Sequence, residues 1–343
     1  MSIFSSLILA LVLPATAPAT APSAVSAAPL PRFFAALQMT KAQVNSSTPA
    51  TSGLFLRLPA GQWRHFGGDQ IKWVNTAAVN PVDPNVVYLG CGNGILRSRD
   101  DGRSWRLTTD WHVADVLALQ VDPADPATIY AATGWGIWLS TDAGDSWRES
   151  DRGVPLTGKF TQALVLDRTE PGRLVAGTFL GFSISTDRAE NWTPLAGGPE
   201  IPILHLEQSG ADPRLWIAGT QGDGLLISTD GARTWSAATP ALAGANVYGA
   251  ATDPTDAARI AAAGWAQGVR VSADGGKTWR DSTRGLPGPH VTALAFDPTH
   301  ARRLWASTFE EGTYYSDDLG ATWRVGGLYG AYVNELRFLP AKL

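Results

Sequence analysis

Six eight-residue segments of this chain share one pattern, Ser-x-Asp with a tryptophan closing the run. They are "SRDDGRSW" (98–105), "STDAGDSW" (140–147), "STDRAENW" (185–192), "STDGARTW" (228–235), "SADGGKTW" (272–279) and "SDDLGATW" (316–323). Their serines are separated by 42, 45, 43, 44 and 44 residues. A nucleophile or a ligand set is needed once. A period near 44 residues is instead structural, long enough for four short strands and their turns. The pattern thus constrains the architecture before it bears on function.

One unit shows the strands. "HVTALAF" (290–296) alternates small and apolar residues and ends at Asp297-Pro298, which cannot continue a strand. "RRLWAST" (302–308) is a second strand, "TYYSDD" (313–318) a third that enters the repeated segment, and "TWRV" (322–325) begins a fourth. The same order of strands a, b, c and d recurs in six complete units, as expected of an all-β array. The ends supply a seventh. "YVNELRFLP" (332–340) matches strand a, and "RFFAAL" (32–37), "GLFLRL" (53–58) and "QWRHF" (62–66) match b, c and d. We therefore expect a single seven-bladed β-propeller of four-stranded blades, closed by a blade shared between the N- and C-termini. Six blades with unpaired flanks are the alternative.

Between strands c and d the chain must reverse tightly. An Asp side chain accepts backbone N–H groups there, supported by Ser; Gly supplies a positive φ; and Trp buries a ring beneath the hairpin. Asp100, Asp142, Asp187, Asp230, Asp274 and Asp318, with Trp105, Trp147, Trp192, Trp235, Trp279 and Trp323, are read as structural. Ala189 and Ala232 stand where the other copies have glycine. The segments resemble the Asp-box (BNR) repeat over residues 53–340. Among families carrying it, the chain looks most like the photosystem II assembly-factor-like propellers of the sialidase superfamily. That resemblance implies a binding scaffold.

Strand parity divides the molecule. The a–b and c–d turns share one face, which carries the Asp-Pro turns and all six repeated segments. The b–c and d–a loops share the other, where residues differ between copies and a function would be grafted. That face takes Trp73, Trp111, His112, Trp135, Asp223, Trp265, Gln267, Glu310, Glu311 and Tyr332 as candidate binding residues. Residues 38–52 add a long polar loop there, in the place of a lid. Aromatic rings beside polar groups suit a protein or a carbohydrate partner.

For catalysis, a glycosidase needs two carboxylates across the scissile bond. Glu310 or Glu311 with Asp223 or Asp115 would be the pair, so glycoside hydrolysis is the alternative function. Sialidases bring three arginines to the substrate and carry an N-terminal [FY]-R-I-P motif. Here "LPRFF" matches poorly, and the loop face holds almost no arginine. The xyloglucan-cleaving family uses an Asp in an early b–c loop, and "GCGNG" has none. No metal-ligand spacing or phosphate loop occurs, so no metal or cofactor is expected.

Composition settles the remaining classes. A net charge of −4 without a basic stripe gives no expectation of nucleic-acid binding. The apolar stretch Leu7–Leu13 is too short to span a membrane. With small residues leading to a cleavage point after Ala27, residues 1–30 read as an export signal, although the first basic residue is Arg32; a disordered leader is the other reading. The propeller then occupies 31–343, as a secreted or periplasmic monomer. Cys91 is the only cysteine, so no internal disulfide is possible. Asn45 and Asn191 lie in Asn-x-[Ser/Thr] sequons.

Overall fold

The structure is a computed structural model that describes residues 30–38, 52–68 and 70–339. The leader, the interior of the expected 38–52 lid and the Asn45 sequon lie outside these residues. Seven four-stranded antiparallel sheets form the ring. Blade one runs Val74–Val79 (a), Val87–Cys91 (b), Gly94–Ser98 (c) and Arg106–Leu107 (d). Inner strands Val116–Val121, Thr161–Leu166, Ile203–Gln208, Val247–Asp253 and Val291–Phe296 begin blades two to six. Blade seven takes its inner strand, Tyr332–Leu339, from the C-terminus and strands Arg32–Gln38, Gly53–Arg57 and Trp63–Phe66 from the N-terminus. The shared closing blade is as the sequence predicts.

The burial pattern explains why strand b loses the polar alternation of a surface strand. Ile129–Thr133, Leu174–Thr178, Trp216–Thr220 and Leu304–Thr308 are buried at every residue, because neighbouring blades cover both faces. The core is correspondingly divided into seven apolar layers, one at each junction between blades. Phe34, Leu54, Val74 and Leu89 join blades seven and one, whereas Val175, Phe182, Leu206 and Trp216 join three and four. The strands d are short and exposed.

The repeated segments close the c–d hairpins in the same way each time. In the second, the Ser140 hydroxyl donates to Asp142 at 2.8 Å and accepts from the Gly144 N–H at 2.8 Å. Asp142 also accepts from the Ser146 N–H and hydroxyl, at 2.8 and 2.6 Å. Ala189 and Ala232 hold the same left-handed backbone as glycine, with φ of +67° and +61°, so the clasp outweighs their Cβ strain. The tryptophans divide: Trp105 and Trp279 bond within their own hairpins, as expected, Nε1 donating to Gly102 O at 3.0 Å and to Gly276 O at 2.9 Å. Trp192 Nε1 donates to Ser150 O and Trp323 Nε1 to Ser282 O, both on the preceding blade. These two rings are therefore rivets between blades.

A second repeated device governs the opposite face. Each strand c opens with, or in blade four directly follows, a glycine at positive φ: Gly53, Gly94, Gly136, Gly181, Gly224, Gly268 and Gly312. The segment leading to the next inner strand packs on its bare Cα; a Cβ on Gly181 or Gly224 would overlap the carbonyl oxygen of Pro199 or Leu242. Threonines at the end of strand b brace the same turns: Thr133, Thr178 and Thr220 donate to Gly136, Gly181 and Gly224 carbonyls at 2.9 Å. Buried Cys91 fills that position in blade one, where burial pushes its thiol up to about 12.

Two buried titratable groups share the inner strand of blade four. Glu207 accepts from the Thr252 N–H of blade five at 2.8 Å. Burial raises its carboxyl to about 7, against the opposing Thr252 bonds. Burial lowers the His205 imidazole to about 4. Between about pH 4.5 and 6.5 the folded state holds the Glu207 proton that the unfolded state has released, so this group makes stability fall as pH rises. His205 acts oppositely, because only the unfolded state is protonated there. The two slopes offset, and the urea midpoint of the wild type is expected to be nearly level across this window. Glu207→Gln should leave a midpoint that rises with pH, and His205→Leu one that falls. Parallel profiles for the two variants would refute this pairing. Below pH 4 all three chains should lose stability, since hydrogen bonds from Ser104, Ser146 and Thr278 hold Asp100, Asp142 and Asp274 down to about 2.

Candidate functional site

In blades two to six the b–c loops are short, and each is tied to the residue before its blade's inner strand. The N–H groups of Gly134, Phe179, Gln221, Trp265 and Phe309 donate to the carbonyls of Asp115, Phe160, Pro202, Asn246 and His290, at 2.9, 3.1 or 3.3 Å in the first four and 2.8 Å in the last. With the glycine contacts, these bonds hold the loop tips in place, so the side chains at the tips are displayed rather than packed.

What they display is aromatic. Among the described residues, every exposed Trp, Tyr or Phe lies on this face: Trp73, Trp111, Trp135, Phe160, Phe179, Tyr248, Trp265 and Tyr329. The exposed large side chains elsewhere (Leu30, Val82, Leu107 and Val325) are aliphatic. Trp111 and Trp135 are 81% and 66% exposed, which a plug of the channel mouth would not be. Trp73 holds φ +56°, Ala266 +60° and Glu310 +62°, conformations that cost a non-glycine residue about 1 kcal/mol or more.

The candidate residues fall into separate groups. Trp265 meets His290 at 4.4 Å and Phe309 at 5.1 Å between ring centroids, and Phe309 meets Tyr332 at 5.2 Å, giving an aromatic run over blades five to seven. Tyr332, expected in a loop, opens the inner strand of blade seven. Gln267 and Glu310 sit in the adjoining loops. Trp111 and His112 stack at 3.6 Å beside Asp110, away from that run. Trp73 overlies Gly92, and Trp135 caps the blade-two turn. Asp115, Asp223, Glu310 and Glu311 are exposed. No group of three metal-binding side chains occurs among the described residues.

The concavity lies elsewhere on this face. A cavity of about 330 Å³ opens where blades three, four and five converge. Phe160, Phe179, Ile203, Leu204 and Tyr248 form its apolar walls; Gln162, Thr178 and Gln221 add polar groups but no charge. None of the ten candidate binding residues lines it. Gln162, Leu204 and Tyr248 are the second residues of three consecutive inner strands. Aligning the repeat would have brought those positions together, but not shown that they meet.

No protein-family model and no curated protein matches the chain. Solved structures match at identities that speak for the fold alone. The GH74 enzyme of Niastella koreensis superposes with a TM-score of 0.66 at 19% identity, over 87% of this chain and 54% of that one. The GH74 xyloglucanase of Xanthomonas campestris gives 0.64 and 20%, over 91% and 55%. The chain thus spans about half the length of these GH74 structures. YCF48 bound to D1 peptide gives 0.57 and 15%, over 89% of this chain and 98% of that one.

Proposed function

We propose that this protein is an exported, non-enzymatic propeller that seats an apolar segment of a protein partner in the cavity between blades three and five. The observation that carries the reading is the placement, among the described residues, of every exposed aromatic ring on the face that holds this cavity. Solvated rings of this size are unfavourable unless a partner covers them, and such rings dominate protein interfaces. The cavity offers apolar walls and a few amide and hydroxyl groups, which orient a ligand without chemistry. No carboxylate lines it, and a glycosidase requires two. YCF48, solved bound to D1 peptide, shows that a chain of this fold can take a peptide. Export rests on the residue 1–30 leader alone. No helix among the described residues is long and apolar enough to cross a membrane.

Peptides selected from a random display library on the purified protein test this. Phe179→Ala with Tyr248→Ala is expected to weaken them by roughly tenfold to a hundredfold, a loss of about 2 kcal/mol, with the thermal midpoint unchanged. Deuterium exchange should show protection at Phe160–Gln162 and Thr178–Phe179. Peptides that bind the double variant as tightly as the wild type would sink the proposal. So would hydrolysis of any glycan that Glu310→Gln with Glu311→Gln abolishes, which would restore the hydrolase reading.

A further inference from the structure

The repeat is broken at one place on the opposite face. At the residue before the repeated serine, five complete blades have Leu139, Ile184, Ile227, Val271 and Tyr315, whereas blade one has Arg97. Two positions on, where other blades have Thr141, Thr186, Thr229, Ala273 and Asp317, it has Arg99. Arg97 is only 5% exposed, an expensive residue where the fold accepts an aliphatic one. It donates to Ala143 O at 2.5 Å and to Asp145 at 2.7 Å, both on blade two.

Around this pair the groove between blades one and two widens to about 390 Å³, lined by Arg97, Arg99, Ser104, Trp105, Arg106 and Asp145. Three guanidiniums, permanently charged, converge on one half-exposed carboxylate. Arg97 takes its best hydrogen bond. Arg99 stands at the 3.5 Å limit, and Arg106 at 4.0 Å is beyond it. Asp100, the other nearby acid, is occupied by Ser98 and Ser104 of its own hairpin. The lining therefore carries two uncompensated positive charges on a chain whose net charge is −4. A planar oxyanion would relieve their repulsion and accept their forked donors. Half-buried Trp105 supplies a flat apolar wall beside them, the usual support for a sugar ring.

We infer that this groove binds an anionic saccharide residue, its carboxylate, sulfate or phosphate held by Arg99 and Arg106 and its ring against Trp105. The site is separate from the partner cavity. Calorimetric titration of the full chain with a glucuronate disaccharide, a 6-sulfated hexosamine and glucose 6-phosphate tests it, with cellobiose and inorganic sulfate as controls. At least one anionic sugar should bind, weaken as salt is raised and exceed both controls; the best of the three identifies the oxyanion. Arg99→Ala with Arg106→Ala should lower that affinity by roughly tenfold or more without moving the thermal midpoint. Arg97→Leu, which restores the residue type of the other blades, should fold and bind weakly. Absence of binding by the wild type, or undiminished binding by the double variant, would overturn the inference. Equal affinity for free sulfate would overturn the sugar.

Discussion

Truncation after Ala331 is expected to abolish cooperative unfolding. The strand removed, Tyr332–Leu339, pairs with Arg32–Gln38 along its whole length and is the inner strand of their blade. Without it the N-terminal strands are tied to blade six only by side contacts, such as Arg57 and Trp63 donating to Gly326 O. It also closes two apolar layers at once: Val333 and Leu336 pack toward blade six, and Leu339 toward blade one. Three buried side chains contribute about 1.5–3 kcal/mol each, and the ladder adds to them, against a typical total stability of about 5–15 kcal/mol. Near-ultraviolet circular dichroism and a thermal melt would read the result. Residues 332–343, supplied as a separate peptide, should restore the transition by pairing with the free edge. A truncated chain that melts cooperatively within about 5 °C of the intact one would show that blade closure contributes little.

Gly181→Ala should destabilise the folded chain by on the order of 3–4 kcal/mol, far more than a surface substitution usually does. Two costs combine. The backbone holds φ +96°, outside the range an alanine adopts without strain, and the new methyl would meet the Pro199 carbonyl oxygen. That carbonyl belongs to the segment leading to the blade-four inner strand, so relief would shift the edge of the cavity. Gly197→Ala provides the control: φ is +70° there, but the added methyl meets only open space. It should cost about 1 kcal/mol, as left-handed backbone does without a clash. Equal urea midpoints for the two variants would discount the packed carbonyl as the reason for the glycine.

What the sequence reveals follows the range of the forces involved. The Ser-Asp clasps, the turns after each inner strand and the blade shared between the termini depend on local hydrogen bonds and alternation, and "YVNELRFLP" could be matched by eye. The glycine four residues before each repeated serine is equally regular, yet its cause is another segment packed on it, a carbonyl at Gly181, Gly224 and Gly312 and a side chain at Gly94, Gly136 and Gly268, which spacing does not display. Trp192 and Trp323 read as local burial because their acceptors, Ser150 and Ser282, lie about 40 residues back. Trp216 and Trp305 belong to the core, 0% and 2% exposed. On the loop face, exposed Trp73, Trp111, Trp135 and Trp265 could be assigned by strand parity. Phe160, Gln162 and Leu204 could not, because a concavity exists only once three blades converge on it.

The second residue of each inner strand now takes on a wider meaning. Along the ring these are Asn75, Leu117, Gln162, Leu204, Tyr248 and Thr292, matched in blade seven by the third residue, Asn334, with no shared character. The clasps, glycines and rivets that fix the scaffold all lie elsewhere, and three of these seven side chains already shape the cavity. Such a molecule behaves like movable type in a locked frame. Substitutions at Gln162, Leu204 and Tyr248 rewrite what the mouth of the ring receives, while the frame that presents them stays as it was.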